Sequence, residues 1–97
     1  MFSVYNDRGF QVKLENGYTV SVQFSEFHYC HKPNRIKNYV TISENAELAI
    51  KDSDNMFVTN TFVTEYLNKE HGDDVLGYIT SEVYLDALNW ARNQKAI

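Results

Sequence analysis

The sequence predicts an α+β fold, in which a C-terminal helix covers one face of an antiparallel sheet of four or five strands, with a shorter helix near residues 61–70. Two runs of alternating apolar and polar residues precede two runs with helical spacing, and this order favours segregated helices and strands over an alternating α/β topology. The 97 residues are enough for one domain, 1–97, with one core. The high aromatic content, 14 %, argues against disorder.

The first hairpin is predicted over residues 10–24, where apolar and polar residues alternate on both sides of an Asn-Gly pair. A two-residue loop would place Leu14 opposite Thr19 and would mix apolar with polar residues on each face. A three-residue loop that ends at Gly17 instead places Leu14 opposite Tyr18 and makes one face wholly apolar. Because a slip of one residue turns every side chain to the other face, the core favours the longer loop, with Gly17 left-handed in a G1 bulge.

The later strands are less regular. Residues 25–38 show no period and contain a Pro-Asn turn signal, so we expect a long loop there. A short strand is predicted at 39–42, and a second hairpin is predicted from 46–51 and 56–59, joined by an acidic turn. Residues 75–79 form a further extended segment.

The final helix is predicted to begin after a cap at Thr80 or Ser81. Its apolar stripe comprises Val83, Tyr84, Ala87, Leu88 and Ala91, with Leu85 and Trp90 at the margins. We expect Val20→Asp and Leu88→Asp each to abolish folding, because both residues lie at the centre of an apolar face and a buried unpaired carboxylate costs several kcal/mol. An exposed remnant at Tyr84 or Trp90 would provide a patch for a homodimer.

The charges are unevenly distributed along the chain. Residues 27–43 contain three basic and no acidic residues, whereas residues 44–97 contain ten acidic and four basic residues. The formal net charge is −4, while general nucleic-acid binders are usually basic overall. No apolar run is long enough for a membrane span, and the start of the chain has no signal-peptide pattern. With a single cysteine, the expected location is the cytoplasm.

No motif for catalysis or cofactor binding is present in the sequence, so we expect no enzymatic activity, no cofactor and no metal. His28, Cys30 and His31 form the densest donor cluster, and His71, Asp73 and Asp74 would have to complete a zinc site. The first three are too closely spaced for a structural zinc site, which favours a solvated loop with a half-buried cysteine. Asp73 and Asp74 are better explained as turn caps.

The segment 28–37 is the candidate binding site. Its predicted contact residues are His28, Tyr29, His31, Lys32, Arg35 and Lys37. Arginine recognises phosphate or carboxylate in a bidentate manner, and aromatic side chains provide stacking faces. The alternative interpretation is a solvated loop whose cations balance the acidic half of the same chain.

Parts of the sequence, 16–24 and 77–80 leading into the last helix, resemble small uncharacterised proteins encoded by tailed bacteriophages. The resemblance implies an accessory protein that binds and inhibits a bacterial host factor. In its most specific form, this expectation makes the host factor a component of antiviral defence. The expected partner is therefore a protein in the cytoplasm of the bacterial host, and the cations Lys32, Arg35 and Lys37 favour one with an acidic or phosphorylated surface. The alternative hypothesis is a small ligand-binding protein that sequesters a nucleotide or oligonucleotide signal.

Overall fold

The computed structural model describes residues 1–4, 9–25, 30, 34–36 and 40–95. In chain order the elements are β1 Phe2–Val4, β2 Gly9–Lys13, β3 Thr19–Gln23, β4 Asn34–Ile36, β5 Val40–Ile42, β6 Ala46–Lys51, α1 Thr59–Tyr66, β7 Leu76–Ile79 and α2 Ser81–Arg92. Five strands form one antiparallel sheet in the order β1-β2-β3-β6-β7, and β4 pairs with β5 in a separate two-stranded sheet. The α+β prediction is confirmed, and no helix among these residues is long and apolar enough to cross a bilayer.

The β2–β3 hairpin has the predicted register. Val12 pairs with Val20 and Phe10 with Val22, and the Leu14 amide donates to the Tyr18 carbonyl at 2.8 Å. Gly17 has a φ of 91°, the left-handed conformation that the three-residue loop requires. The requirement for one continuous apolar face therefore selects the loop length over the usual preference of Asn-Gly for two residues.

For the second hairpin, the first strand forms as β6, but the prediction of a partner strand at 56–59 is wrong. Lys51 and Phe57 form an isolated bridge, but α1 begins at Thr59, so residues 56–59 do not form a strand. The Thr59 side chain is fully buried. Its hydroxyl accepts from the Ile50 amide at 2.9 Å and donates to the Asp74 carbonyl at 2.7 Å. Thr59 thus joins β6, the start of α1 and the segment before β7, a tertiary role that local pattern does not reveal.

Two short strands were not predicted. β1 adds to the sheet edge by pairing Phe2 with Val12 and Val4 with Phe10. β4 lies inside the segment expected to be an irregular loop, and it pairs with β5 so that Arg35 is opposite Thr41. Each of these strands has only three residues, too few to show a period of two.

Strand β7 contains an extra residue relative to its partner. Ala46 pairs with Ile79 and Leu48 with Leu76, so two residues of β6 correspond to three residues of β7. Tyr78 takes up the difference with a φ of 56°. The bulge lets Leu76 and Ile79 both pack against the core, although strict alternation would place them on opposite faces.

Helix α2 supplies much of the core. Thr80, one of the two predicted caps, is its N-cap, and its hydroxyl accepts from the Val83 amide at 3.3 Å. Ala87 and Ala91 are fully buried, whereas Leu88 is only partly buried. We therefore expect Leu88→Asp to lower the stability of the fold and not to abolish folding. Trp90 was expected at the margin of the apolar stripe, but its side chain is buried, with 7 % of its surface exposed.

Trp90 packs inside an aromatic cluster. Its ring lies 6.2 Å from that of Tyr18 and 5.6 Å from that of Phe62, measured between centroids. Its burial removes it from the proposed dimer patch, and Tyr84 is partly buried against the core. Among the described residues of α2, the large apolar side chain that is exposed is Leu85.

Candidate functional site

The predicted contact residues of segment 28–37 are only partly placed. His28, Tyr29, His31, Lys32 and Lys37 lie outside the described residues. The backbone of Arg35 lies in β4, opposite Thr41, while its side chain is also outside them. Cys30 is half-buried, and its thiol donates to the Ser25 carbonyl at 3.4 Å.

The other donor groups of the predicted alternatives make local contacts. His71 Nε2 lies 2.6 Å from the Val75 carbonyl oxygen. The Asp73 carboxylate accepts from the amide of the next residue, Asp74, at 2.7 Å, so its contact is local. Within the described ranges, no group of three or more His, Cys, Asp and Glu is placed to hold a metal ion.

The structure reveals a cleft at the end of the sheet where β5 leads into β6 and β7 leads into α2. Its volume is about 360 Å³. It is lined by Phe10, Val22, Phe24, Ile42, Ser43, Glu44, Asn45, Ala46, Ile79, Thr80, Ser81 and Tyr84. We call this feature the α2 cleft. A volume in this range suits one or two side chains of a bound peptide or a small ligand.

The floor of the α2 cleft is apolar and rigid. Val22, Ala46 and Ile79 are buried members of the core, each held by the register of a different strand. Phe10 and Tyr84 lie on its lining in an edge-to-face arrangement, with ring centroids 5.8 Å apart and an interplanar angle of 83°. Because these residues are fixed by sheet pairing and ring packing, the cleft is formed before any ligand binds.

The rim of the α2 cleft is polar. The Ser43 hydroxyl donates to the Asn45 carbonyl at 2.6 Å, which holds the turn that leads into β6. Thr80 and Ser81 bring the N-terminal end of α2 into the lining as well. Burial raises the pKa of the Tyr84 phenol above its ordinary value of 10.0. Like an ordinary tyrosine, Tyr84 is therefore protonated at physiological pH and able to donate a hydrogen bond.

Ile42 is the exposed apolar residue of the α2 cleft. It ends β5, and 47 % of its surface is accessible although it lines the cleft. β5 pairs with β4, so the cleft is directly connected to the two-stranded sheet that contains Arg35. The structure therefore places the end of β5, a strand of this two-stranded sheet, beside an apolar cleft.

Sequence reasoning missed the α2 cleft because its residues come from five separate parts of the chain. Phe10 and Tyr84 each appeared in a periodic run, and both were assigned to the core. The extra residue in β7, which brings Ile79 to the cleft floor, leaves no sequence pattern. A usable signal was the pair of apolar residues, Phe24 and Ile42, which flank the three cations of segment 28–37 in the sequence.

A second cavity of about 280 Å³ lies on the sheet and reaches Phe57 and Val75. It is lined by Gln11, Thr19, Ser21, Gln23, Ala49, Lys51, Phe57 and Val75, and we call it the sheet-face cavity. Lys51 Nζ lies 4.9 Å from the centre of the Phe57 ring. Gln23 donates to the Ser21 hydroxyl at 3.1 Å, while its Oε1 is buried without a hydrogen-bond partner.

Comparison with known proteins adds no relative: no protein-family model, no curated protein and no solved structure matches this chain.

Proposed function

We propose that this chain is a non-enzymatic phage accessory protein that binds and inhibits a bacterial host factor, a component of antiviral defence. The phage origin rests on the resemblance of segments 16–24 and 77–80. The observation that carries the binding function is the α2 cleft, a preformed apolar cleft with aromatic lining. The occupant is a peptide segment of the host factor that inserts an aliphatic or aromatic side chain between Ile42 and Tyr84.

The lining of the α2 cleft supports a protein partner. Buried aromatic and aliphatic anchors in well-packed pockets provide most of the binding energy of protein interfaces. Phe10 and Tyr84 are already packed against each other, so an incoming side chain would meet a rigid surface and would cost little reorganisation. Tyr84 also keeps its phenolic proton, which makes it a donor for a backbone carbonyl of the peptide.

The charge of the neighbouring segment supports an acidic or phosphorylated partner. Lys32, Arg35 and Lys37 lie within a dozen residues of Ile42 in the sequence, in a stretch, 27–43, without acidic residues. Basic groups close in sequence to Ile42, which lines the cleft, would steer an acidic partner and fix its register. The anchor residue would then provide the contact area that a purely ionic interaction lacks.

The test is capture from a bacterial host lysate, followed by purification of the captured protein and measurement of its activity. Ile42→Asp places a carboxylate in the α2 cleft, whereas Leu85→Asp is a matched control, since Leu85 is 51 % exposed on α2 and does not line the cleft. We expect the wild type and the Leu85→Asp variant to capture and inhibit the same host protein. The Ile42→Asp variant should fold and fail to do so.

A second variant tests the charges. Replacement of Lys32, Arg35 and Lys37 by alanine should leave folding intact, because single ion pairs of lysine and arginine at protein surfaces usually contribute little to stability. Binding should weaken and lose most of its dependence on salt concentration. Capture that is equal for all four proteins would contradict the proposal, as would a captured protein whose activity is unchanged.

The sheet-face cavity favours a second function, sequestration of a nucleotide or oligonucleotide. Lys51 would provide charge for a phosphate, and the hydroxyl and amide groups of Thr19, Ser21 and Gln23 would provide hydrogen bonds to a sugar or base. Phe57, which is exposed beside Lys51, offers an aromatic face. This arrangement fits a small polar ligand better than it fits a protein anchor.

Thermal unfolding with a panel of nucleotides separates the two functions. A ligand at 100 times its dissociation constant should stabilise the fold by about 2.7 kcal/mol. The shift should disappear in a Lys51→Gln variant and persist in a Lys69→Gln variant, since Lys69 is exposed and lies outside both cavities. Absence of any shift would remove this second function and leave the protein-binding proposal standing.

A further inference from the structure

Asn16, in the loop of the first hairpin, performs an unusual structural task. Its Nδ2 donates to the carbonyls of Ala91 at 2.7 Å and Gln94 at 2.9 Å, which lie at the C-terminal end of α2. Its Oδ1 accepts from the Tyr18 amide at 3.1 Å. One side chain therefore holds the hairpin loop and also satisfies carbonyls that the end of a helix leaves without partners.

The same residue stands in a chemically labile sequence. Asn16 is followed by Gly17, and each of the other asparagines in the chain is followed by a residue with a side chain. Asparagine is a thermolabile residue, and a following glycine has no Cβ to hinder its backbone nitrogen from reaching the side-chain amide. Asn16 is thus the asparagine of the chain whose neighbour most favours deamidation, and its side chain also holds the C-terminal end of α2.

We propose that Asn16-Gly17 is a deamidation site that the docked end of α2 keeps unreactive, and that its reaction releases this end of the helix. In the reaction the Gly17 nitrogen loses its proton to solvent base and attacks Asn16 Cγ. A new C–N bond forms, the Cγ–Nδ2 bond breaks, and Nδ2 takes up a proton and leaves as ammonia. Water then opens the resulting succinimide to aspartate or isoaspartate.

The folded structure opposes each part of this reaction. The Gly17 N–H donates to the Leu14 carbonyl at 3.0 Å, which disfavours loss of its proton. The leaving nitrogen is held by the two helix carbonyls, and rotation of the side chain toward Gly17 would break both bonds. Reaction therefore requires local opening of the hairpin loop or of the end of α2, and its rate follows the population of the open form.

The products do not fit the site. A carboxylate has no donor for the carbonyls of Ala91 and Gln94, and it would stand at the negative end of the helix dipole. Isoaspartate lengthens the backbone of a loop whose length sets the strand register. Trp90 reports the release, because it is the single tryptophan, it is buried, and its carbonyl accepts from the Gln94 side chain at 2.9 Å.

The experiment compares deamidation of the full chain at mildly alkaline pH in native buffer and in denaturing urea, followed by mass spectrometry of peptides. In urea, Asn16 should convert before the other asparagines. In native buffer it should convert at least about tenfold more slowly, since local opening limits the reaction. Equal rates in the two conditions would overturn the proposed protection, and earlier conversion of another asparagine in urea would overturn the site.

Two variants test the consequence. Asn16→Asp should lower the midpoint of urea unfolding and shift Trp90 emission toward that of an exposed indole, and failure of this variant to fold would agree with the proposal. Asn16→Gln retains an amide but is not expected to form the five-membered ring, so it should show no conversion at position 16. An Asn16→Asp protein with wild-type stability and wild-type emission would overturn the claim that the reaction releases α2.

Discussion

The buried Thr59 hydroxyl provides the sharpest test of how this fold is held together. Thr59→Val keeps the shape of the side chain and removes the group that bridges the Ile50 amide and the Asp74 carbonyl. Asp74 is exposed, so its carbonyl can find water, whereas the hydrogen bond to Ile50 is buried. A buried donor left without a partner costs about 1–3 kcal/mol, so we expect a loss of about 2 kcal/mol.

Equilibrium urea unfolding measures this loss, and Thr59→Ser is the control. Serine keeps the hydroxyl and removes one methyl group, at an expected cost of about 1 kcal/mol. A loss of about 2 kcal/mol corresponds to a fall of about 8–16 °C in Tm for a domain of this size. A valine variant that is as stable as the wild type, or no less stable than the serine variant, would refute the assigned role of the hydroxyl.

Three further predictions concern the core, the hairpin loop and pH. Val20→Asp should abolish cooperative unfolding, because Val20 is fully buried. Leu88→Asp should still fold, with lower stability, since Leu88 is only partly buried. Circular dichroism distinguishes the two outcomes. Gly17→Ala should lower the urea midpoint, because the residue has a φ of 91° and an added Cβ would lie 2.7 Å from Ser53 Cβ. Gly72→Ala is the control and should be nearly neutral, since nothing lies within 4 Å of its added Cβ. Equal changes in the urea midpoint for the two variants would contradict this prediction. Burial, and to a smaller extent the charges of Asp52 and Glu65, raises the pKa of Tyr18 above 10.0. The folded state therefore holds this proton more tightly than the unfolded state, and the free energy of unfolding should fall as pH rises above about 10. In a Tyr18→Phe variant this decrease with pH should be smaller.

The sequence predicted those parts of the fold that one local pattern determines. The register of the first hairpin followed from a choice between two loop lengths, since only one of them gives a continuous apolar face at Val12, Val20 and Val22. Capping preference narrowed the start of α2 to Thr80 or Ser81, of which Thr80 is the cap, and the helical period gave the buried positions Ala87 and Ala91. These features depend on neighbours in sequence or on a single strand pairing.

The errors arose where tertiary contacts override local preference. Residues 56–59 have strand-like composition, but the Thr59 hydroxyl finds its partners on Ile50 and Asp74 and begins α1 instead. Trp90 was assigned to the helix margin, yet the packing of Tyr18 and Phe62 buries it. The α2 cleft depends on the bulge in β7 and on the end of β5, which lie far apart in sequence.

The most direct test of the binding proposal is a titration of the purified host factor against the wild type, Ile42→Asp and Leu85→Asp. These two substitutions place the same charge at apolar positions of similar exposure, one lining the α2 cleft and one outside it. We expect Ile42→Asp to raise Kd at least about tenfold, a change of about 1.4 kcal/mol, and Leu85→Asp to leave it within about twofold of the wild type. Equal Kd values for the two variants would contradict the assignment of the α2 cleft as the contact surface.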